Sequence, residues 1–159
     1  MDETLFRNVV QVGMVVSDLD QTLEKFQSLL GIRPFRTVEY PPVGEEGCLR
    51  EYRGKPGDFT ARFCFFNLGG IELEVIQPLL GDSIWSDFLR DHGPGLHHLK
   101  FSVDHLEPAR RQLEEHGFRC VQQGAAAGPN KGRMWVYYEH EPQKDLPLCI
   151  EIMNEVIDI

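Results

Sequence analysis

The 159-residue chain has no apolar run long enough to cross a bilayer. Its four cysteines, Cys48, Cys64, Cys120 and Cys149, are scattered and show no C-x-x-C spacing. Reduced thiols in a cytoplasm are therefore expected, not a disulfide framework. Basic charge is scarce: 16 Lys and Arg face 25 Asp and Glu, a net charge of −9. That balance removes the footprint nucleic acid requires, although local basic residues can still hold a small anion. The opening Met-Asp-Glu-Thr-Leu-Phe carries acids where a signal peptide would carry basic residues, so neither export nor membrane association is expected. What remains, 42% hydrophobic and 26% charged residues, is the composition of a soluble globular protein. The length suits one domain, or two half-size modules sharing a core.

The chain repeats itself once. Residues 9–31 read VVQVGMVVSDLDQTLEKFQSLLG, and residues 96–117 read LHHLKFSVDHLEPARRQLEEHG. With Gln11 set on His98, each copy is an apolar strand entering a helix. The first helix carries Leu19, Leu23, Phe26 and Leu30 at helical spacing, with Ser17 or Asp18 as N-cap and Gly31 as its stop. The second carries Leu106, Ala109 and Leu113, with Asp104 able to cap, Pro108 harmless in the first turn and Gly117 as its stop. Three strands are predicted after each helix, at 34–40, 60–67 and 71–77, then at 118–123, 133–139 and 147–153. The expected organisation is α+β: a βαβββ module over 1–78, a packed linker over 79–95 and a second βαβββ module over 96–159. The linker carries a short helical pattern, Ile84-Trp85 with Phe88-Leu89.

Four polar residues stand where these strands should be apolar. Side chains alternate along a strand, so Val10, Val12, Met14 and Val16 share the helix-facing side and Gln11, Gly13 and Val15 the other. In the second copy Leu99, Phe101 and Val103 face the helix, which leaves His98, Lys100 and Ser102 opposite. In IELEVIQP, Glu72 and Glu74 oppose Leu73 and Val75; in LCIEIM, Glu151 opposes Leu148, Ile150 and Ile152. A lone carboxylate among apolar neighbours is costly unless paired or bound to a metal. The duplication thus yields two equivalent pairs, Gln11 with His98 and Glu74 with Glu151. One imidazole nitrogen and three oxygens suit one divalent ion such as Zn²⁺, Mn²⁺, Co²⁺ or Ni²⁺. A buried polar network without metal, or separate surface residues, fits the spacing equally.

Taken together, VQVGMVVSDLDQTLEKFQSLLGI, IELEVIQP, GPGLHHLKFSVDHLE and LCIEIMN resemble the vicinal-oxygen-chelate superfamily. The superfamily includes glyoxalase I, methylmalonyl-CoA epimerase, extradiol dioxygenases and bleomycin resistance proteins. The resemblance covers essentially the whole chain. It implies paired modules curled into a U-shaped cleft, with metal ligands at Gln11, Glu74, His98 and Glu151. Length and the segment WSDFLRDHGPGLHHLKFSVD look most like the epimerase. The set Gln-Glu-His-Glu, with Lys131-Gly132, looks more like glyoxalase I. The Glu74-Val75-Ile76-Gln77-Pro78 segment departs from the Glu-Leu-Thr-x-Asn of that enzyme, which argues against a glutathione thiohemiacetal. For the additional catalytic Glu of the epimerase, the loop before residue 60 offers only Asp58 and, more distantly, Glu51.

The function this resemblance implies is an epimerase or isomerase moving a proton next to a thioester or ketone carbonyl through an enolate. Its substrate would be a small molecule such as an acyl-CoA thioester. Glu151 is expected as the working base, with Glu74 as its conjugate acid. A glyoxalase-type lyase is the alternative. An extradiol-like oxygenase is disfavoured because Gln11 replaces a histidine, and a non-catalytic binding protein because all four ligand positions are kept. His97 reads as structural, on the strand face opposite His98, and His92, His105, His116 and His140 as solvated. Glu72 reads as a partner of the ligands or a rim residue. Arg50, Arg53, Lys55, Lys131 and Arg133 read as surface charge or an anion hold. Tyr137, Tyr138, Phe63, Phe65 and Phe66 read as core or cleft wall, and the loops 41–58 and 124–132 as lids. A homodimer is expected, since paired modules leave edges and apolar surface.

Overall fold

The computed structural model describes residues 5–33, 36–140 and 146–155. Val9–Val15 forms β1, and Asp18 starts helix α1 (Leu19–Leu30) by accepting the backbone N–H of Gln21. Gly31 ends the helix with φ of 65°, a left-handed turn that glycine adopts without penalty. Strands β2 (Arg36–Tyr40), β3 (Arg50–Tyr52), β4 (Lys55–Pro56), β5 (Ala61–Asn67) and β6 (Glu72–Pro78) follow. Residues 34 and 35, the expected start of β2, lie outside the described residues. The linker forms α2 (Ile84–His92), capped reciprocally by Ser83 and Ser86. Then come β7 (Gly95–Val103), α3 (Leu106–Glu115), β8 (Phe118–Ala125), β9 (Met134–His140) and β10 (Cys149–Asn154). The cap expected from Asp104 is not made: His105 is the cap residue of α3, and Asp104 pairs with Arg7 instead.

Among the described residues all the strands join one ten-stranded mixed sheet in the order β2-β5-β6-β1-β7-β10-β9-β8-β3-β4. Its first eight strands read as a palindrome about the antiparallel β1–β7 seam, with β6 parallel to β1 and β10 parallel to β7. The duplication appears here as symmetry of strand order. The loop at 41–58 holds something the sequence did not announce. Its hairpin β3–β4 crosses over and adds to β8, at the far edge of the other half.

Two helices cover one face of the sheet. Helix α1 packs Leu19, Leu23 and Phe26 on Cys64, Phe66, Leu73 and Val75, with Val12, Met14 and Val16 beneath it. Helix α3 packs Ala109 and Leu113 on Val103, Phe118, Val136, Tyr138, Ile150 and Ile152. A third cluster lies within the curl and joins residues from both halves: Val15, Tyr40, Phe59, Phe63, Trp85, Trp135 and Tyr137. It measures how far the sheet bends. β2 and β9 stand first and seventh in order, so a flat sheet would hold them about 29 Å apart at ~4.8 Å per strand. The ring centroids of Tyr40 and Trp135 are 5.7 Å apart, and the Tyr40 hydroxyl donates to the Ala125 carbonyl at 3.0 Å. The sheet is therefore curled into a half-barrel. No helix among the described residues is long and apolar enough to cross a membrane.

Helix α2 is tied to the hairpin through one carboxylate. Asp87 accepts from the Tyr52 hydroxyl at 2.6 Å, from Arg53 at 2.9 Å and from Arg90 at 3.1 Å. Burial opposes its charge, but Tyr52 and then the two arginines outweigh that and hold its pKa below the ordinary value. Such a group adds stability above its unfolded pKa of about 3.9 and loses it as pH falls through the folded value. Asp87→Asn should accordingly cost about 1–2 kcal/mol at neutral pH. In urea melts the gap to the parent should close below about pH 4; a gap unchanged down to acid pH would refute this account of the tie.

Candidate metal centre

Two rows of side chains crossing β6, β1, β7 and β10 build the floor of the concave face. Strand register places Glu72, Gln11, Lys100 and Glu151 in one row, and Glu74, Gly13, His98 and Cys149 in the next. The absence of a side chain at Gly13 decides what the second row can do. The His98 ring lies over that glycine, where a Cβ would stand 1.9 Å from its Cε1. With that space open, Nε2 of His98 lies 3.3 Å from Glu74 Oε2 and 3.0 Å from Glu151 Oε2. Gln11 Oε1 lies 3.5 Å from the same nitrogen. The Gln11 amide donates from Nε2 to Glu72 Oε1 at 2.6 Å, which turns its carbonyl oxygen toward His98. Glu72 is thus a partner of Gln11.

Gln11, Glu74, His98 and Glu151 are 2, 6, 3 and 3% exposed. Burial opposes charge on His98, yet its contacts with Glu151 and then Glu74 outweigh burial and raise its pKa to about 9. Glu151 is held down at about 2: burial again opposes, but Lys100, whose Nζ is 3.2 Å from Oε1, and His98 prevail. Burial pushes the Glu74 pKa up, and among the described residues His98 is its one ion-pair partner.

The chemistry of this donor set fits a divalent ion. Glu74, His98 and Glu151 bring their ligand atoms within 4.8 Å of one another. Among the described residues Oε2 of both carboxylates is buried without a hydrogen bond, near enough to the imidazole to pair with it but not aligned to accept. Neighbouring ligand atoms each ~2.1 Å from one ion would stand ~3 Å apart. The contacts of 3.0, 3.3 and 3.5 Å at His98 Nε2 are of that size.

The floor opens into a cleft of about 1070 Å³. Phe63, Phe65, Trp85, Trp135 and Tyr137 wall it, and Tyr138 lies instead in the core beneath α3. Lys100 and Arg36, rather than the basic residues marked from sequence, bring positive charge to its lining. Arg50 is spent on the carbonyls of Glu46 and Phe59, Arg53 on Asp87, and Lys131 on Glu45. Neither Asp58 nor Glu51 is among the lining residues described. Lys100 carried a signal that sequence reading passed over: a cation between Leu99 and Phe101, on the face it shares with His98.

A family model for the glyoxalase/bleomycin resistance protein/dioxygenase superfamily matches residues 10–138. The chain belongs to that superfamily. Among curated relatives, bovine mitochondrial methylmalonyl-CoA epimerase is 26% identical over 118 residues, 74% of this chain and 58% of that protein. The murine enzyme is 25% identical over 118 residues, 74% of this chain and 57% of its own length. The chain thus spans little more than half the length of these relatives. An uncharacterized protein of Bacillus subtilis is 33% identical over 66 residues, 42% of this chain and 47% of that protein. Solved structures share the superfamily fold. Methylmalonyl-CoA epimerase of Mycobacterium tuberculosis superposes with a TM-score of 0.65 at 20% identity, covering 98% of this chain and 93% of that one. The Streptomyces coelicolor epimerase in complex with 2-nitronate-propionyl-CoA gives 0.63 at 19% identity, with 94 and 97% covered.

Gly13 provides a test of this geometry. Gly13→Ala must displace the His98 ring, and forced overpacking of this kind costs about 1–3 kcal/mol. A denaturant midpoint equal to the parent's, with unshifted His98 ring resonances, would mean that the imidazole does not lie over β1.

Proposed function

We propose that this superfamily member is a divalent-metal-dependent epimerase or isomerase. It moves the proton alpha to a thioester or ketone carbonyl, as in a methylmalonyl-CoA epimerase, and an acyl-CoA thioester is the favoured substrate class. One observation carries the reading: Glu74 and Glu151 reach His98 from opposite halves of the sheet, each with an unbonded buried oxygen at the floor of an open cleft. Its similarity to the methylmalonyl-CoA epimerases of cattle and mouse supports it.

Gln11, Glu74, His98 and Glu151 would hold the ion, with Co²⁺, Ni²⁺, Zn²⁺ and Mn²⁺ as candidates. When bound there, it supplies a Lewis acid for negative charge developing on a carbonyl oxygen. The chain's own residues do the rest. Two carboxylates approaching from different strands let a proton leave one side of an α-carbon and return on the other. Lys100 anchors Oε1 of Glu151, so that carboxylate is the more firmly held of the two. Glu72 keeps the Gln11 oxygen turned inward, and the aromatic wall offers an apolar surface beside the reacting carbon. A glyoxalase-type lyase would use the same elementary step, and only the substrate separates the two.

Proton NMR in D₂O with candidate acyl-CoA thioesters should reveal metal-dependent exchange at the α-carbon. Glu151→Gln can keep a coordinating amide oxygen but cannot accept a proton. It should lose exchange by at least about 10²-fold with metal still bound, the contribution typical of a positioned acid–base group. Parental exchange in both this variant and Glu74→Gln, each metal-loaded, would remove both carboxylates from the chemistry. The proposal includes a homodimer, which would cover exposed apolar side chains such as Leu80 and Leu96, 72 and 66% exposed. Light scattering should give twice the chain mass; a monomer at micromolar concentration would refute it.

A further inference from the structure

Alternation along a strand sends adjacent side chains to opposite faces, and it separates His97 from His98. The structure joins them. Gly13 pairs with His98 but Met14 with Leu96, so His97 is the extra residue of a β-bulge. A bulge of this kind re-aims a side chain. Nδ1 of His97 is 3.0 Å from Nδ1 of His98, with the two rings nearly perpendicular at 85°. The His97 ring packs between Phe88 of α2 and Tyr137 of β9, at centroid distances of 5.0 and 6.1 Å.

Two ring nitrogens at that distance share one proton, so one donates and the other accepts. If His97 donated, a neutral His98 would carry its remaining proton on Nε2, pointing at two carboxylates and blocking a cation. If His97 accepts, Nε2 presents a lone pair there. The packing of the His97 ring against Phe88 and Tyr137 holds its Nδ1 at His98 Nδ1, in place to accept that proton.

We propose that His97 is a positioning residue of the metal centre: its Nδ1 accepts the Nδ1–H of His98 and fixes the tautomer whose Nε2 faces Glu74 and Glu151. The inference rests on the metal reading above and adds how this chain prepares the site. Partners that orient a ligating histidine in this way typically contribute about 10–100-fold in metal affinity.

Replacing the acceptor and the ring separately tests it. His97→Asn places Oδ1 as many bonds from the backbone as Nδ1 and keeps an acceptor without the ring. His97→Phe keeps a ring without an acceptor, and His97→Leu serves as a second acceptor-free variant should Phe not fold. Co²⁺ titration, read by affinity and by visible ligand-field bands, should show the acceptor-free variant weakened about 10–100-fold with altered bands. The Asn variant should stay within a few-fold of the parent. The reverse order, or equal weakening of both, would mean that the ring only fills space. Parental affinity in the acceptor-free variant would overturn the inference alone, while a parent protein that binds no Co²⁺ would remove the metal reading and this inference with it.

Discussion

Two buried carboxylates and one buried imidazole meet at the seam of this sheet, and that electrostatic constraint organises what surrounds them. A charge removed from water is costly unless paired, and leaving one member of such a cluster alone costs several kcal/mol. Glu74, His98 and Glu151 are all buried and come from β6, β7 and β10, so no single segment can satisfy them. Gly13 lets the ring cross β1, and Lys100 supplies the second cation. Each answers a demand created by burying opposite charges together.

The duplicated frame is symmetric, but the site is not. Under the equivalence that sets Gln11 on His98, Gly13 corresponds to Lys100. The register sets Glu74 beside Gly13 and Glu151 beside Lys100. One carboxylate therefore has a neighbour that gives way, and the other has a neighbour that grips. The same fold positions two chemically similar groups and gives them different electrostatic settings.

Curvature holds the cleft open at a fixed width. Trp85 from α2 meets Phe59, Phe63, Trp135 and Tyr137, rings contributed by both halves. Such contacts contribute about 0.5–1.5 kcal/mol each beyond the area they bury. They also set the distance between the walls against which any substrate would be placed, where displacements of about 1 Å matter to rate. The hairpin β3–β4, paired with β8, is joined to the linker helix by the Tyr52–Asp87 hydrogen bond.

Local periodicity was enough to determine the strand–helix–strand pattern and its repetition. Val12, Met14 and Val16 face α1 because a strand has period two, and the same rule put Gln11, Glu74, His98 and Glu151 on the other face. Equal spacing in two copies made them equivalent without any knowledge of distance. Only tertiary structure decided the rest, because it depends on what meets across strands far apart in the chain. Gly13 looks like any small strand residue until the His98 ring lies over it, and Lys100 like surface charge until Glu151 arrives from β10. Arg50 and Arg53 look like free cations until Phe59 and Asp87 claim them. His97 was hidden for a different reason: a one-residue bulge breaks the alternation that assigns faces, and a bulge comes from the register between two strands, which neither strand's sequence carries alone.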